Sequence, residues 1–352
     1  MNRVLKLSLI FIAFVILVLL WLIGLWWLTV ALLLLGALTY LVRFRIGHTF
    51  SRTLFILAIL LFTAFALRIF IFEIFIVPSR SMESLLVPGD ILLMSKTTFG
   101  PLIRVPWDVS LRRESRSSNR LRLSGWRNVK RNDVIIFRRD SISYVKRCVG
   151  LPGEEVRINS GDIYLSRQLY EAPASIKRYF RIWFNDRRAI LSMLDHKSIA
   201  AEIDQQRPFA NALITTEFKS QLETMPTVDS VVLLCDYPKR LKAYPLSKDL
   251  DWTFDNMGPI LIPKAGMRIE LNPETYLLYG NLIGKYEGAK IDFANGAFNV
   301  GDSAISEYVF ANDYYFLMGD NRFVSDDSRA WGFIPFYSID GVVDFTLFHA
   351  KR

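Results

Sequence analysis

The sequence is poor in the side chains that most often build a metal centre or an imidazole-based active site. It has 2 cysteines, Cys148 and Cys235, and 3 histidines, His48, His196 and His349. Two cysteines exclude a dense disulfide framework and a thiolate cage, although a single Cys148–Cys235 pairing stays open. Neither His196 nor His349 lies in a segment with other catalytic character, so a Ser-His-Asp arrangement finds no base. No metal and no cofactor are expected. Internal repeats and low-complexity tracts are absent as well, which excludes solenoid architectures.

Charge is missing altogether from Leu7 to Val42, a run of about 36 residues where one bilayer crossing takes roughly 20. Two helices, about 7–23 and 25–42, fit this run, with Gly24 as the turn and Trp21, Trp26 and Trp27 at interfacial depth. A third apolar run, about 53–77, is interrupted by Arg68 and Glu73, which belong near the headgroups because a charge at the bilayer centre is costly. Arg3, Lys6, Arg43, Arg45 and Arg52 flank these runs on what the positive-inside rule makes the cytoplasmic side, together with His48. Three crossings then export everything after Val77. The first run is too long for a cleaved secretory signal and no small-residue cleavage site follows it, so residues 1–77 read as a permanent anchor.

What charge there is has been concentrated. From Gly100 to Arg147 there are 13 Lys/Arg against 4 Asp/Glu, an excess equal to the whole-chain net charge of +9. A basic stretch just beyond a membrane exit suits anionic headgroups, and it equally suits a solvated loop. Nucleic acid is not an expected partner, because no reader motif accompanies the charge.

Pro78 stops the last apolar run, and Ser79 and Ser81 follow within three residues, at the outer bilayer surface. By itself such a serine is an ordinary turn residue. Strand-like runs come next, at Ile91 to Met94, Arg131 to Arg138 and Ser143 to Gly150, with an exposed loop from Leu111 to Trp126 between the first two. Strand alternation puts Tyr144, Lys146 and Cys148 on one face, giving Lys146 weakly polar neighbours. From Val156 to about Ile260 no spacing attaches to chemistry, and turns such as Asn159 to Asp162 are the recurring theme. A strand, Tyr314 to Met318, then enters a loop dense in Asp, Asn, Arg and Ser, and a strand around Gly341 to Phe348 closes the chain. With no histidine or metal, a serine can still be activated by a lysine whose pKa burial lowers towards neutrality. Ser81 and Lys146 are the best-placed pair.

Four segments, P-S-R-S-M with Gly89-Asp90, R-N-D-V-I-I-F, Y-V-K-R-C-V-G-L-P-G-E and G-D-N-R-F-V-S-D-D-S-R-A-W-G, resemble in order the motif blocks of the bacterial type I signal peptidases. The resemblance implies Ser81 as nucleophile and Lys146 as general base. It implies an oxyanion hole from the Ser79 hydroxyl and the Ser81 backbone N–H, and Ser325 as the residue that orients the lysine. Arg147, Asp320, Asp327 and Arg329 match charged residues that brace the site. Arg80 stands where glycine is common, Glu83-Ser84-Leu85 replaces x-Pro-Thr, Phe323 replaces an aspartate, and Cys148 replaces a small residue.

The expected fold is a set of N-terminal transmembrane helices followed by a mainly β extracytoplasmic catalytic domain with an inserted variable subdomain. Its parts are the anchor at 1–77, a first catalytic part at 78–156, a non-catalytic insertion at 157–310 and a second catalytic part at 311–352. The expected function is a multi-pass endopeptidase of the cytoplasmic membrane that removes signal peptides from secretory preproteins at small-x-small sites. Membrane lipid and the secretion translocon are its further expected partners. The alternative is a catalytically silent, membrane-tethered assembly or binding protein of the same fold.

Overall fold

The structure, a computed structural model, describes residues 71–104, 120–237, 240–294, 296–301 and 303–350, with scattered positions between 53 and 70. The expected helices at about 7–23 and 25–42 lie outside the described residues, as does the loop to residue 119. The chain divides into two compact units. In the first, residues 1–72 with 103–112 and 119–121, the described positions from Thr53 to Phe70 are helical. Among the described residues no helix is long and apolar enough to cross a membrane.

The third apolar run was expected to stay helical to Val77. Instead a strand, β1 (Phe72–Ile76), occupies its end. Four of the five residues in F-E-I-F-I are β-branched or aromatic, and the neighbouring strand offers their backbone a ladder partner, which outweighs the helical pattern.

The second unit, residues 73–102, 113–118 and 122–352, is mainly β. Its largest sheet contains β1, β2 (Ile91–Ser95), β3 (Val134–Arg139), β4 (Ile142–Gly150), β12 (Tyr314–Met318), β13 (Ile334–Pro335) and β14 (Ile339–Phe348). They lie side by side in the order β1-β2-β14-β3-β4-β12-β13, so the C-terminal strand is inserted between two early ones. A two-residue turn joins β3 to β4, with Asp140 and Ser141 both at positive φ, the conformation whose twist matches a hairpin. That turn sets Ile135 opposite Lys146 and Ile136 opposite Val145. Burial is deepest at the centre of the sheet, while β1 and the end of β14 keep exposed residues. From Val145 to Gly150 every residue of β4 is buried.

The hairpin β5 (Glu155–Asn159) and β6 (Asp162–Leu165) turns at Ser160 and Gly161, again both at positive φ, and pairs with β11 (Met257–Leu261). Between them is a separate sheet of β7 (Lys177–Phe184), β8 (Ala201–Ile203), β9 (Phe209–Thr215) and β10 (Val228–Leu233), in the order β8-β9-β7-β10. Two helices accompany it, α1 (Arg187–His196) and α2 (Thr216–Glu223). Each starts at a side-chain cap: Ala189 N donates to Asp186 Oδ1 at 3.1 Å and Phe218 N to Thr215 Oγ1 at 3.1 Å. Each buries an i, i+4 pair, Ile190 with Leu194 and Phe218 with Leu222, in a core that the sheet shares with neither catalytic segment.

The large sheet holds two further cores. Phe137, Tyr144 and Trp331 pack as a ring cluster, with centroid separations of 5.5 to 6.2 Å. Val77, Met82, Leu86, Leu92, Met94, Ile136 and Val145 form the other, which clamps the turn containing Ser81. Full burial of an apolar side chain of this size stabilises by roughly 1.5–3 kcal/mol, so Met82 and Leu86 hold that turn firmly.

Candidate active site

Ser81 lies in a single 3-10 turn, Arg80–Met82, that follows extended Ser79. Arg80 takes ordinary helical dihedrals there, so the place where glycine is common needs no glycine in this chain. Two backbone features fix the turn from below. Val77 N donates to Asp90 O at 2.9 Å, and Gly89, at φ +92°, returns a bond from its N–H to Val77 O at 2.9 Å. Asp90 is fully buried, accepting from Val87 N at 2.9 Å and from Ala350 N at 2.8 Å. Gly89-Asp90 therefore acts as a tie between the Ser81 turn and the C-terminal end of the chain.

Lys146 projects from the middle of β4 and is 2% exposed. A cavity of about 200 Å³ is shared by Ser79, Ser81 and Lys146 and walled by Val77, Met82 and Tyr144. The Ser81 hydroxyl is 3.2 Å from that of Ser79. Burial pushes the Lys146 pKa down from 10.5 to about 8, against the opposing pull of Asp327, Asp326 and Asp320, with Arg329 adding to the depression.

The loop after β12 completes the surroundings. Asn321 N donates to Ser81 O at 3.0 Å, tying this loop to the serine turn. Arg147, next to Lys146, donates from Nε to Asp320 Oδ1 at 2.7 Å and from Nη2 to Oδ2 at 2.5 Å. Arg329 makes a second fork, with Nε to Asp327 Oδ1 at 2.9 Å and Nη2 to Oδ2 at 3.0 Å. Burial would raise the Asp327 carboxyl, but Arg329, joined by Lys146 and Ser325, holds the group below its ordinary value. Ser325 is buried, and its hydroxyl lies beside Asp327, helping to lower that pKa without reaching hydrogen-bonding geometry with any described group.

Gly319 explains how these groups fit. A β-carbon there would lie 2.2 Å from Ser325 Oγ and 2.5 Å from Ser81 O, closer than any real contact. Sequence reasoning passed over Gly319, Asn321 and the buried tie at Asp90. A glycine directly after a fully buried strand was the available signal for the first. The loop is also held from the insertion: Lys177 N donates to Asp320 O at 2.9 Å and Arg322 N to Lys177 O at 3.0 Å. Phe323, where an aspartate was the usual residue, stacks on Tyr179 of β7 with centroids 4.6 Å apart. Cys148 is buried and Cys235 half-buried, and both are free thiols.

The structure thus brings Ser79, Ser81 and Lys146 into one cavity and sets the Arg147–Asp320 and Asp327–Arg329 pairs beside it. What the arrangement can do chemically is hold, in one cavity with a hydroxyl, a buried amine that gives up its proton near pH 8. The family described as "Signal peptidase, peptidase S26" matches residues 50–207 and 281–348, well over half of the chain. Signal peptidase I of Buchnera aphidicola subsp. Baizongia pistaciae is 24% identical over 293 residues, covering 82% of this chain and 74% of that one. Signal peptidase I of Helicobacter pylori strain J99 is 26% identical over 284 residues, covering 79% and 76%. A solved signal peptidase I from Enterococcus faecalis overlays on 62% of this chain and 97% of its own, at 16% identity and a TM-score of 0.24, too loose a fit to argue from.

Proposed function

The chain belongs to the signal peptidase family, peptidase S26, and is a serine endopeptidase with a mainly β catalytic domain; from that premise we propose that Ser81 is its nucleophile and Lys146 its general base. Membership in a hydrolase family sets aside the silent-scaffold alternative. The reading is carried by one observation: the amine of Lys146 is buried, with its pKa down to about 8, in the same cavity as Ser81.

Neutral Lys146 Nζ takes the proton of Ser81 Oγ as that oxygen attacks the scissile carbonyl carbon. The Ser79 hydroxyl and the Ser81 backbone N–H donate to the resulting oxyanion, where each such donor is worth roughly 3 kcal/mol. The lysine returns the proton to the leaving amine as the C–N bond breaks, leaving an acyl-enzyme on Ser81. A water, deprotonated by the same amine, then attacks the ester and restores both residues. The bond from Ser325 to the amine that the resemblance implies is not made in this structure, so Ser325 takes no part in these steps, and the two Arg–Asp pairs keep the loop and β4 in register. Substrates are secretory preproteins cut after a small residue, with a second small residue two positions earlier, the pattern that the family resemblance implies.

Anchoring in the cytoplasmic membrane by the apolar runs before β1, with the catalytic parts outside, rests on the uncharged run and the basic flanks. The insertion at 157–310 stays outside the chemistry, and membrane lipid and the translocon are the surroundings from which substrate arrives.

The test is cleavage of a preprotein carrying an Ala-x-Ala site by the full chain in detergent, from mildly acidic to alkaline pH. The expected result is loss of cleavage in Ser81→Ala and in Lys146→Ala, with wild-type activity rising as pH passes about 8. Cleavage by Ser81→Ala at the wild-type rate would refute the assignment.

A further inference from the structure

A second cavity, again of about 200 Å³, lies between the inserted sheet and the loop after β12. One wall is aromatic: Phe323 stacks on Tyr179 at 4.6 Å and 15°, and Tyr179 on Tyr237 at 5.4 Å and 13°. Leu233, Leu241, Phe254 and Met318 extend the apolar lining.

In this apolar wall stands Arg322, only 9% exposed. Its Nη1 reaches the thioether of Met318 at 3.2 Å, a weak acceptor. Its Nε and Nη2 are buried and have no hydrogen-bond partner. The other charges in the wall are already engaged. Arg178 donates to Asp162 Oδ1 at 2.9 Å, Arg329 is forked on Asp327, Asp255 accepts from Asp236 N at 2.7 Å, and Asp236 Oδ2 lies 3.7 Å from Arg240 Nε. Burial and the neighbouring charge of Arg329 push the Arg322 pKa down to about 10, which still leaves it a cation at neutral pH. A buried guanidinium with unmade bonds is a costly arrangement, and a guanidinium edge is shaped to meet a carboxylate through parallel bonds.

We propose that this cavity binds a small organic carboxylate with an apolar body, its carboxylate paired with Arg322 and its hydrocarbon lying against Tyr179 and Phe323. An inorganic anion would satisfy the guanidinium and leave the aromatic wall uncovered. A neutral hydrocarbon would do the reverse. Asp236 Oδ1, the wall's other atom without a partner, would accept from a donor on the same ligand. The insertion then carries a recognition site of its own, and nothing in this assignment depends on which residue attacks the substrate.

The probe is 4-fluorophenylacetate, followed by fluorine NMR with the full chain in detergent. Saturable binding is expected, displaced by phenylacetate. The neutral 4-fluorophenylacetamide should bind at least about tenfold more weakly, since a hydrogen bond to a charged group is worth that much or more. Arg322→Gln and Phe323→Asp, which places a carboxylate in the wall itself, should each weaken the acid by a similar factor while melting as cooperatively as wild type. Equal affinity for acid and amide, binding unchanged in both variants, no saturable binding, or inorganic phosphate binding as tightly as the acid would each overturn the proposal. The acid-to-amide comparison on wild type decides the matter even if Arg322→Gln fails to fold.

Discussion

Replacing the proposed base, Lys146→Met, should abolish cleavage and at the same time make the protein more stable at neutral pH. The folded-state pKa of Lys146 is lowered from 10.5 to about 8, and at ~1.36 kcal/mol per unit this drop is a penalty of about 3 kcal/mol on the folded state. The sign is set by proton binding. Below pH 8 the lysine is protonated in both states and the full penalty applies. Between pH 8 and 10.5 only the unfolded chain binds the proton, so the penalty fades as pH rises, and above 10.5 it is gone. Methionine fills a similar volume without a charge, so the variant should escape the penalty. Thermal melting of the full chain in detergent, followed by tryptophan fluorescence, should show the variant melting higher at pH 7, by roughly 6–12 °C for a unit of this size. The gain should shrink towards zero near pH 11. A variant that melts no higher than wild type at pH 7, or whose gain is the same at both pH values, would refute the claim that burial lowers this lysine.

Gly319→Ala should reduce kcat by more than about tenfold with little change in KM, because the new methyl group would push Ser325 and the Ser81 carbonyl out of place; wild-type kcat would show that the contact is slack. Arg147→Met should destabilise by about 3–5 kcal/mol by stranding buried Asp320. The double change Arg147→Met with Asp320→Leu should recover most of that loss in the same melting assay, and a strictly additive double variant would argue against a coupled pair. Cys148 is buried and its thiol is pushed up by burial, while half-buried Cys235 is pushed up to about 11. A maleimide should therefore label Cys235 slowly and leave Cys148 untouched until unfolding, and reductant should not shift the melting temperature.

Five of the seven strands of the large sheet, all but β1 and β13, were legible because their runs carry β-branched or aromatic residues and are bounded by turn chemistry, as at Ile142–Gly150 between Asp140-Ser141 and Leu151-Pro152-Gly153. Helices α1 and α2 of the insertion were not read, although their signals are local: Asp186 and Thr215 each begin an i, i+4 apolar pair as a capping residue. They were masked by β-rich flanks and by the mixed polarity of R-R-A-I-L-S-M-L-D-H. The end of the third apolar run misled for a different reason. F-E-I-F-I is equally apolar as helix or strand, and only the presence of β2 as a ladder partner decides between them. Lys146 and Ser81 were separable from the background by chemistry, whereas Asn321 and Asp90 work through backbone bonds that no spacing announces.

The two Arg–Asp forks have a consequence for the lysine that neither fork shows alone. Asp320 and Asp327 both favour the protonated amine, and unpaired carboxylates this close would draw the Lys146 pKa back towards its ordinary value. Arg147 and Arg329 bind them side-on, through both oxygens, and Arg329 offsets part of the Asp327 pull on the amine, so burial prevails. The carboxylates also serve as rigid acceptors that shape the loop, with Gly319 N on Asp327 Oδ2 at 3.1 Å. An apolar loop of the same shape would lower the lysine further, but it would leave the backbone N–H groups of the loop without acceptors. The forks ease that conflict: they satisfy the loop's donors with charged groups, and Arg329 offsets part of their field at the amine while burial supplies the rest of the depression.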